Sequence, residues 1–208
     1  MKIIRYSLLT FIFLAISSCI SINIKQVQQA LINLKKLQFK IESIDNFKVD
    51  NINIQKKKSI NDFSLNDGMK LLSLYNSKSL PCNFILNLAV INPNDGTAGS
   101  KQTTATITRL EWELFIEDKK TIDGIITNPI EIPGTGEKTI IPVQINIDLY
   151  KFFAEKSYDD LLNLALALGG FNSNTSRVKL DITPTVKTPL GNIAAGKFTV
   201  IDKEFRSQ

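Results

Sequence analysis

The chain has 208 residues, 43% of them apolar, with 25 Lys and Arg against 20 Asp and Glu and no histidine. That apolar content excludes a disordered chain, and a formal charge of +5, thinly spread, points to no nucleic-acid partner. The missing histidine removes Ser-His-Asp and Cys-His catalysis and every histidine-based metal site.

The first element is a signal. Lys2 and Arg5 precede an apolar run from Leu8 to Ile16, and the small pair Ser17-Ser18 stands just before Cys19. A basic start, a short apolar centre and small residues ahead of a cut are the marks of export. The run is shorter than the roughly 18 apolar residues a spanning helix needs. An uncleaved anchor continued through Ile20, Ile22 and Ile24 would be broken by Ser21 and Asn23. Ile16-Ser17-Ser18-Cys19 resembles the bacterial lipobox, whose cysteine thiol takes a diacylglyceryl group before the signal peptidase cuts. The resemblance implies a signal peptide over residues 1–18 and a mature chain that begins at lipidated Cys19. Two or three acyl groups there suffice for stable anchoring. The chain would then belong to the bacterial cell envelope, at the outer membrane in a Gram-negative cell. Removal of Lys2 and Arg5 lowers the formal charge from +5 to +3.

Residues Val27 to Leu37 read as a helix, with Val27, Leu31 and Leu34 at helical spacing. Phe39 and Ile41 then alternate, followed by Phe47 and Val49 and by Ile52 and Ile54, with the phase slipping at a turn or bulge at Asp50-Asn51. The triplet Lys56-Lys57-Lys58 reads as a solvated loop. Asn66-Asp67-Gly68 opens a short helix carrying Met69, Leu72 and Tyr75. Strands dominate from Leu80. Leu80–Asn92 sets Cys82 in phase with Leu80, Phe84, Leu86 and Leu88, which makes the thiol a small buried hydrophobe without a disulfide partner. Thr106–Glu117 places Leu110, Trp112, Leu114 and Ile116 on one face and Arg109, Glu111 and Glu113 on the other, a half-buried strand. Thr121–Ile126, Ile130–Ile132 and Thr139–Leu149 follow. A helix then starts at Ser157, whose oxygen can cap it while Asp159 and Asp160 suit its positive end. Leu161, Leu164, Ala165 and Leu168 form its stripe and Gly169-Gly170 stops it. Val178–Val186 and Ile193–Ile201, joined at Gly191, close the chain. Many successive strands and few helices predict a mainly β fold, an antiparallel β-sandwich with helical insertions.

Four segments in order carry a resemblance: a strand ending in Asn92-Pro93-Asn94, then Leu110-Glu111-Trp112-Glu113-Leu114, then Ile130-Glu131-Ile132-Pro133-Gly134-Thr135-Gly136, then Ile141-Pro142-Val143. Together they resemble the late embryogenesis abundant (LEA) type 2 family, whose core is also called the WHy domain, for water stress and hypersensitive response. The match covers about Leu80 to Leu149 and extends towards Phe205. It implies a fibronectin-III-like sandwich of about seven strands. It also implies a non-enzymatic role in desiccation or stress protection, or envelope support, with no cofactor and no catalytic residues. The chain divides on this reading into the signal peptide 1–18, a tether and extension 19–79 with its own helix and strands, and the sandwich 80–208.

A search for chemistry finds little. Adjacent residues on a helix point about 100° apart, so Asp159 and Asp160 serve capping better than paired acid–base work. Gly134-Thr135-Gly136-Glu137-Lys138-Thr139 fails as a phosphate loop, because Glu137 interrupts it and a strand follows; a hairpin turn with glycines at positive φ fits instead. Two functions remain open. One is a non-enzymatic stress-associated lipoprotein, held to the membrane through Cys19, with its protein or lipid partner unspecified. The other is a carrier of lipid or an apolar ligand, using Leu161, Leu164 and Leu168 at a groove. Leu162 and Leu166 make that helix apolar on more than one side, as either a groove or a deeply buried helix requires.

Overall fold

The computed structural model describes residues 36–97, 102–170, 177–188 and 191–200, together with Gln28 and Ile32. The expected signal peptide over residues 1–18, Cys19 and most of the helix expected over Val27–Leu37 lie outside the described residues. Gln28 and Ile32 are helical, whereas Lys36 is in a turn and Leu37 is a buried residue leading into the first strand.

Alternating burial builds two antiparallel sheets. The first contains β1 (Gln38–Val49), β2 (Ile52–Asn53), β3 (Pro81–Ile91) and β7 (Lys138–Asp148), in the order β2-β1-β3-β7. The second contains β4 (Ala105–Ile116), β5 (Lys119–Ile126), β8 (Val178–Thr188) and β10 (Phe198–Val200), in the order β10-β8-β4-β5. Two short strands flank it: β6 (Ile130–Ile132) pairs with β4, and β9 (Gly191–Ala194) pairs with β8. The inner faces meet in one hydrophobic cluster, with Phe39 of β1 against Phe198 of β10 at 5.3 Å between ring centroids. The fold is therefore mainly β, an antiparallel sandwich with a few helices. Each leucine fully withdrawn from water here contributes about 1.5–3 kcal/mol.

The expected phases hold along most strands. Leu110, Trp112, Leu114 and Ile116 of β4 are buried, as are Ile141, Val143, Ile145 and Ile147 of β7. Pro142 sits in β7, an edge strand, where its missing N–H costs no ladder bond and blunts further pairing. β1 is less regular than expected. Asp50-Asn51 is the turn between β1 and β2, but the β1–β3 register also shifts between Ile41 and Ser43 and again between Asp45 and Lys48, with Asn46 at φ 54°. The two bulges invert the side-chain phase and restore it, which lets Ile44 join Phe39, Ile41, Phe47 and Val49 inside. Residues from Gln38 onward thus share the core of the sandwich, and no break in that core coincides with position 79/80.

The single last strand expected over Ile193–Ile201 is two. Both β9 and β10 lie on β8, but Ala194 faces Thr185 while Phe198 faces Ile182, so one extra residue is accommodated between them. Pro184 stands opposite the interruption: it offers no N–H, and its carbonyl accepts from the Ala195 N–H at 2.7 Å.

Among the described residues from Lys36 onward, three α-helices pack on the sandwich. α1 (Leu65–Asn76) begins at Ser64, whose side chain accepts from the Asp67 N–H. Its buried residue is Leu71, with Leu74 and Tyr75 partly buried against the core. The expected stripe of Met69, Leu72 and Tyr75 is thus corrected: Met69 and Leu72 face solvent. α2 (Leu149–Phe152) is capped by Asp148. α3 (Tyr158–Gly169) is capped by Ser157, which accepts from the Asp160 N–H at 3.2 Å, and it packs against β1.

Candidate functional site

Asn92-Pro93-Asn94 reads as a turn in the sequence, yet the side chains of Asn92 and Asn94 are buried. Asn92 Nδ2 donates to the carbonyls of Thr103 at 2.8 Å and Ile132 at 3.0 Å, and its Oδ1 accepts from Asn94 Nδ2 at 2.8 Å and the Asn94 N–H at 3.2 Å. The Thr103 N–H returns to the Asn94 carbonyl at 3.1 Å, and Gln102 Nε2 reaches the Gly134 carbonyl at 3.0 Å. One amide at the end of β3 therefore ties the first sheet to the approach to β4 and to the end of β6 in the second. The two glycines of the following turn have different work. Gly136 takes φ +73°, as a turn glycine should, whereas a Cβ on Gly134 would collide with the carbonyl oxygens of Asn94 and Thr103. The expected hairpin with glycines at positive φ is thus corrected: of the two only Gly136 takes positive φ, and the turn crosses between sheets, since β6 pairs with β4 and β7 with β3. The whole is a latch, and it carries no reactive group.

The second feature lies on the outer face of the second sheet. A concavity of about 300 Å³ is lined by Glu111, Trp112, Glu113, Lys120, Asp123, Gly124, Ile125, Asp181, Thr183 and Lys197. Antiparallel register brings the charges together: Glu113 of β4 stands opposite Asp123 of β5 and Asp181 of β8. Glu113 pairs with Lys120 at 2.6 Å and with Lys197 at 2.7 Å, and Lys197 also pairs with Asp181 at 2.9 Å. Lys120 lies 3.4 Å from Asp123, and Thr199 Oγ1 donates to Asp181 Oδ1 at 2.8 Å. The interruption opposite Pro184 puts Lys197 in place, an instance of a strand irregularity re-aiming a side chain.

The electrostatics follow from these pairs. Hydrogen bonds from Lys120 and then Lys197 hold the Glu113 carboxyl down at about 2. The same contacts with Glu113 raise Lys120 and Lys197, the latter aided by Asp181. These three groups are thus fixed in their charged forms across neutral pH, which suits charge recognition and not proton transfer, since a general acid or base works best with a pKa near the operating pH. Glu111 and Glu113 were expected to be a solvated polar face. Glu111 pairs with Arg109 at 2.8 Å within its own strand, but Glu113 is the hub of a network that strand periodicity alone does not reveal.

The other residues singled out by the sequence are placed as follows. Cys82 is buried, and burial pushes its thiol pKa far up, so it is a poor nucleophile. Asp159 and Asp160 stand in the first turn of α3, with Asp160 Oδ2 accepting from Ser157 Oγ at 2.7 Å, a capping arrangement. Leu161, Leu164 and Leu168 are all buried, as are Leu162, Ala165 and Leu166, so α3 is enclosed on several sides within the common core. Lys57 of the lysine triplet donates to the Asp62 carbonyl at 2.6 Å and lies over the Phe63 ring. Among the described residues, no group of three or more Asp, Glu, Cys or His is placed to hold a metal, and no helix is long and apolar enough to cross a membrane.

No family model matches the chain, and no curated protein matches it. Solved structures do. The chain is similar to a protein from Archaeoglobus fulgidus (11% identity, 62% of this chain and 86% of that one, TM-score 0.33). It is also similar to the solution structure of a protein described as late embryogenesis abundant (15% identity, 88% and 86%, TM-score 0.36). A structural-genomics target, SoR45, is similar over 60% of this chain and 75% of its own (11% identity, TM-score 0.30). At TM-scores of this size the architecture rests on the strand pairings given above.

Proposed function

We propose that the chain is a non-enzymatic lipoprotein of the bacterial envelope, held to a membrane through lipid on Cys19, whose LEA type 2 (WHy-like) sandwich supports the envelope under desiccation or related stress. The observation that carries this reading is the latch. The two segments most characteristic of the resemblance, Asn92-Pro93-Asn94 and Ile130–Gly136, meet in one buried hydrogen-bonded unit that fastens the two sheets and leaves no reactive group exposed. The concavity on the second sheet keeps Glu113, Lys120 and Lys197 charged at neutral pH, which favours binding over catalysis. The carrier alternative would use Leu161, Leu164 and Leu168. With all three enclosed in the core, a ligand there would require α3 to move away from β1.

Metabolic labelling with a fatty-acid probe tests the anchor. The protein should take up label and sediment with membranes, and Cys19→Ala should abolish both; persistent labelling of that variant defeats the lipobox reading. Survival of drying, compared in cells with and without the gene, tests the role. Equal survival would remove the stress assignment while leaving the anchor intact.

A further inference from the structure

We infer that the outer face of α1 is a membrane-contact surface, a second foothold that presses the domain onto the bilayer to which its N-terminus is tethered. Leu65, Met69 and Leu72 are 81%, 57% and 45% exposed. Their spacing of four and three residues aligns them along one side of the helix, roughly opposite the core-facing Leu71 and Leu74. Gly68, Ser73 and Asn76 occupy the rest of that side, so an arc of nearly half the helix carries no charge. Charges are the groups a lipid surface penalises most. Tyr75, set edge-on to Tyr150 and Tyr158, borders the stripe with half-buried rings, the amphipathic type that settles at a membrane interface.

The area argues for lipid over a second copy of the chain. Three such side chains expose on the order of 300 Å², against roughly 800 Å² per partner in a stable protein interface. Alone they would hold a membrane only weakly. A tether changes this by making the contact intramolecular at high effective concentration. The geometry permits it. The chain enters the sandwich at Gln38, opposite Ile91, whereas α1 adjoins the other end of that strand pair, with Lys70 bonded to Asp50 at 2.5 Å. The span from Ile91 back to Cys82 is about 30 Å at the rise of a strand. With Cys19 to Val27 extended and the expected helix from there to Lys36, the tether reaches about 40 Å. Tether and stripe can therefore meet one surface, with the sandwich lying along it.

The inference rests on the proposed membrane tether, and its test is arranged to be independent of native lipidation. The mature chain from residue 20, with an N-terminal hexahistidine, is bound to vesicles of phosphatidylcholine and phosphatidylglycerol containing a nickel-chelating lipid. Met69→Cys carries an environment-sensitive fluorophore, Cys82 being buried. On vesicles the fluorophore should shift to the blue, brighten at least twofold and lose most of its quenching by aqueous iodide. Adding Leu65→Ser and Leu72→Ser should reverse all three changes, while the same fluorophore on Lys187→Cys, exposed on β8 of the other sheet, should respond to neither. An unchanged Met69→Cys spectrum on vesicles overturns the inference. So does the same blue shift without vesicles, rising with protein concentration, which would make α1 a contact between copies. Native lipidation is read separately by fatty-acid labelling, so either reading can fail alone.

Discussion

Asn92 and Glu113 each sit at the centre of a polar network, one sealed between sheets and the other at the edge of water. Asn92 is fully buried, and its amide satisfies the carbonyls of half-buried Thr103 and buried Ile132 and two N–H groups of buried Asn94. The Glu113 side chain keeps a third of its surface exposed, and Lys120 and Lys197, its partners, are more exposed still. A polar contact therefore means different things in the two places. Deleting a buried amide strands its partners without water, at roughly 1–3 kcal/mol for each unsatisfied group. Deleting an exposed ion pair returns both charges to solvent, at roughly 0–1 kcal/mol. The latch holds the fold, and the concavity shapes what the outer face presents.

Four measurements would break or sharpen that contrast. The largest effect belongs to the hydrophobic core under α3. Leu164→Ala should cost about 2–5 kcal/mol in urea unfolding, the price of a cavity in a packed core. A loss well below that, together with saturable binding of a fluorescent fatty acid by the parent protein, would instead revive the carrier reading. Next is Asn92→Ala, which should cost about 2–4 kcal/mol through stranded carbonyls of Thr103 and Ile132. The Cys82 thiol should resist maleimide in the native protein and react after unfolding, because it is buried and protonated.

The smallest effect is at Glu113. Its folded pKa is depressed from 4.5 to about 2, so its contribution is present above pH 4.5 and is lost as pH falls through 2. The difference in unfolding midpoint between parent and Glu113→Gln should be small at pH 7, shrink between those two values, and fade with added salt. A difference that grew on acidification would reverse the sign and disprove the pairing.

Much of the framework was legible because strand periodicity is a direct record of burial. The alternation of Leu110, Trp112, Leu114 and Ile116, and of Ile141 to Ile147, located β4 and β7 and their inner faces. Ser157 and the acids after it located the start of α3. What escaped depends on contacts across the sheet. Ile44 lies out of phase with Ile41 and Phe47, a trace of the two bulges in β1, but naming the bulges requires the pairing with β3. Lys197 lies 84 residues from Glu113, and nothing in local pattern predicts that an interrupted strand opposite Pro184 will aim one at the other. In α1, helical spacing found an apolar stripe but not its direction, since Met69 and Leu72 satisfy the same period as Leu71 and Leu74. The buried state of Asn92 and Asn94 was hidden for a related reason. A turn-forming composition reports local backbone preference and says nothing about what packs over the turn.

The contrast between latch and concavity is tested most directly by urea unfolding of Asn92→Ala and Glu113→Gln side by side, at pH 7, in low salt and again in 1 M sodium chloride. The account predicts a loss of about 2–4 kcal/mol for the first variant, unchanged by salt, and less than about 1 kcal/mol for the second, vanishing in high salt. Equal losses, or a larger and salt-insensitive loss for Glu113→Gln, would contradict it.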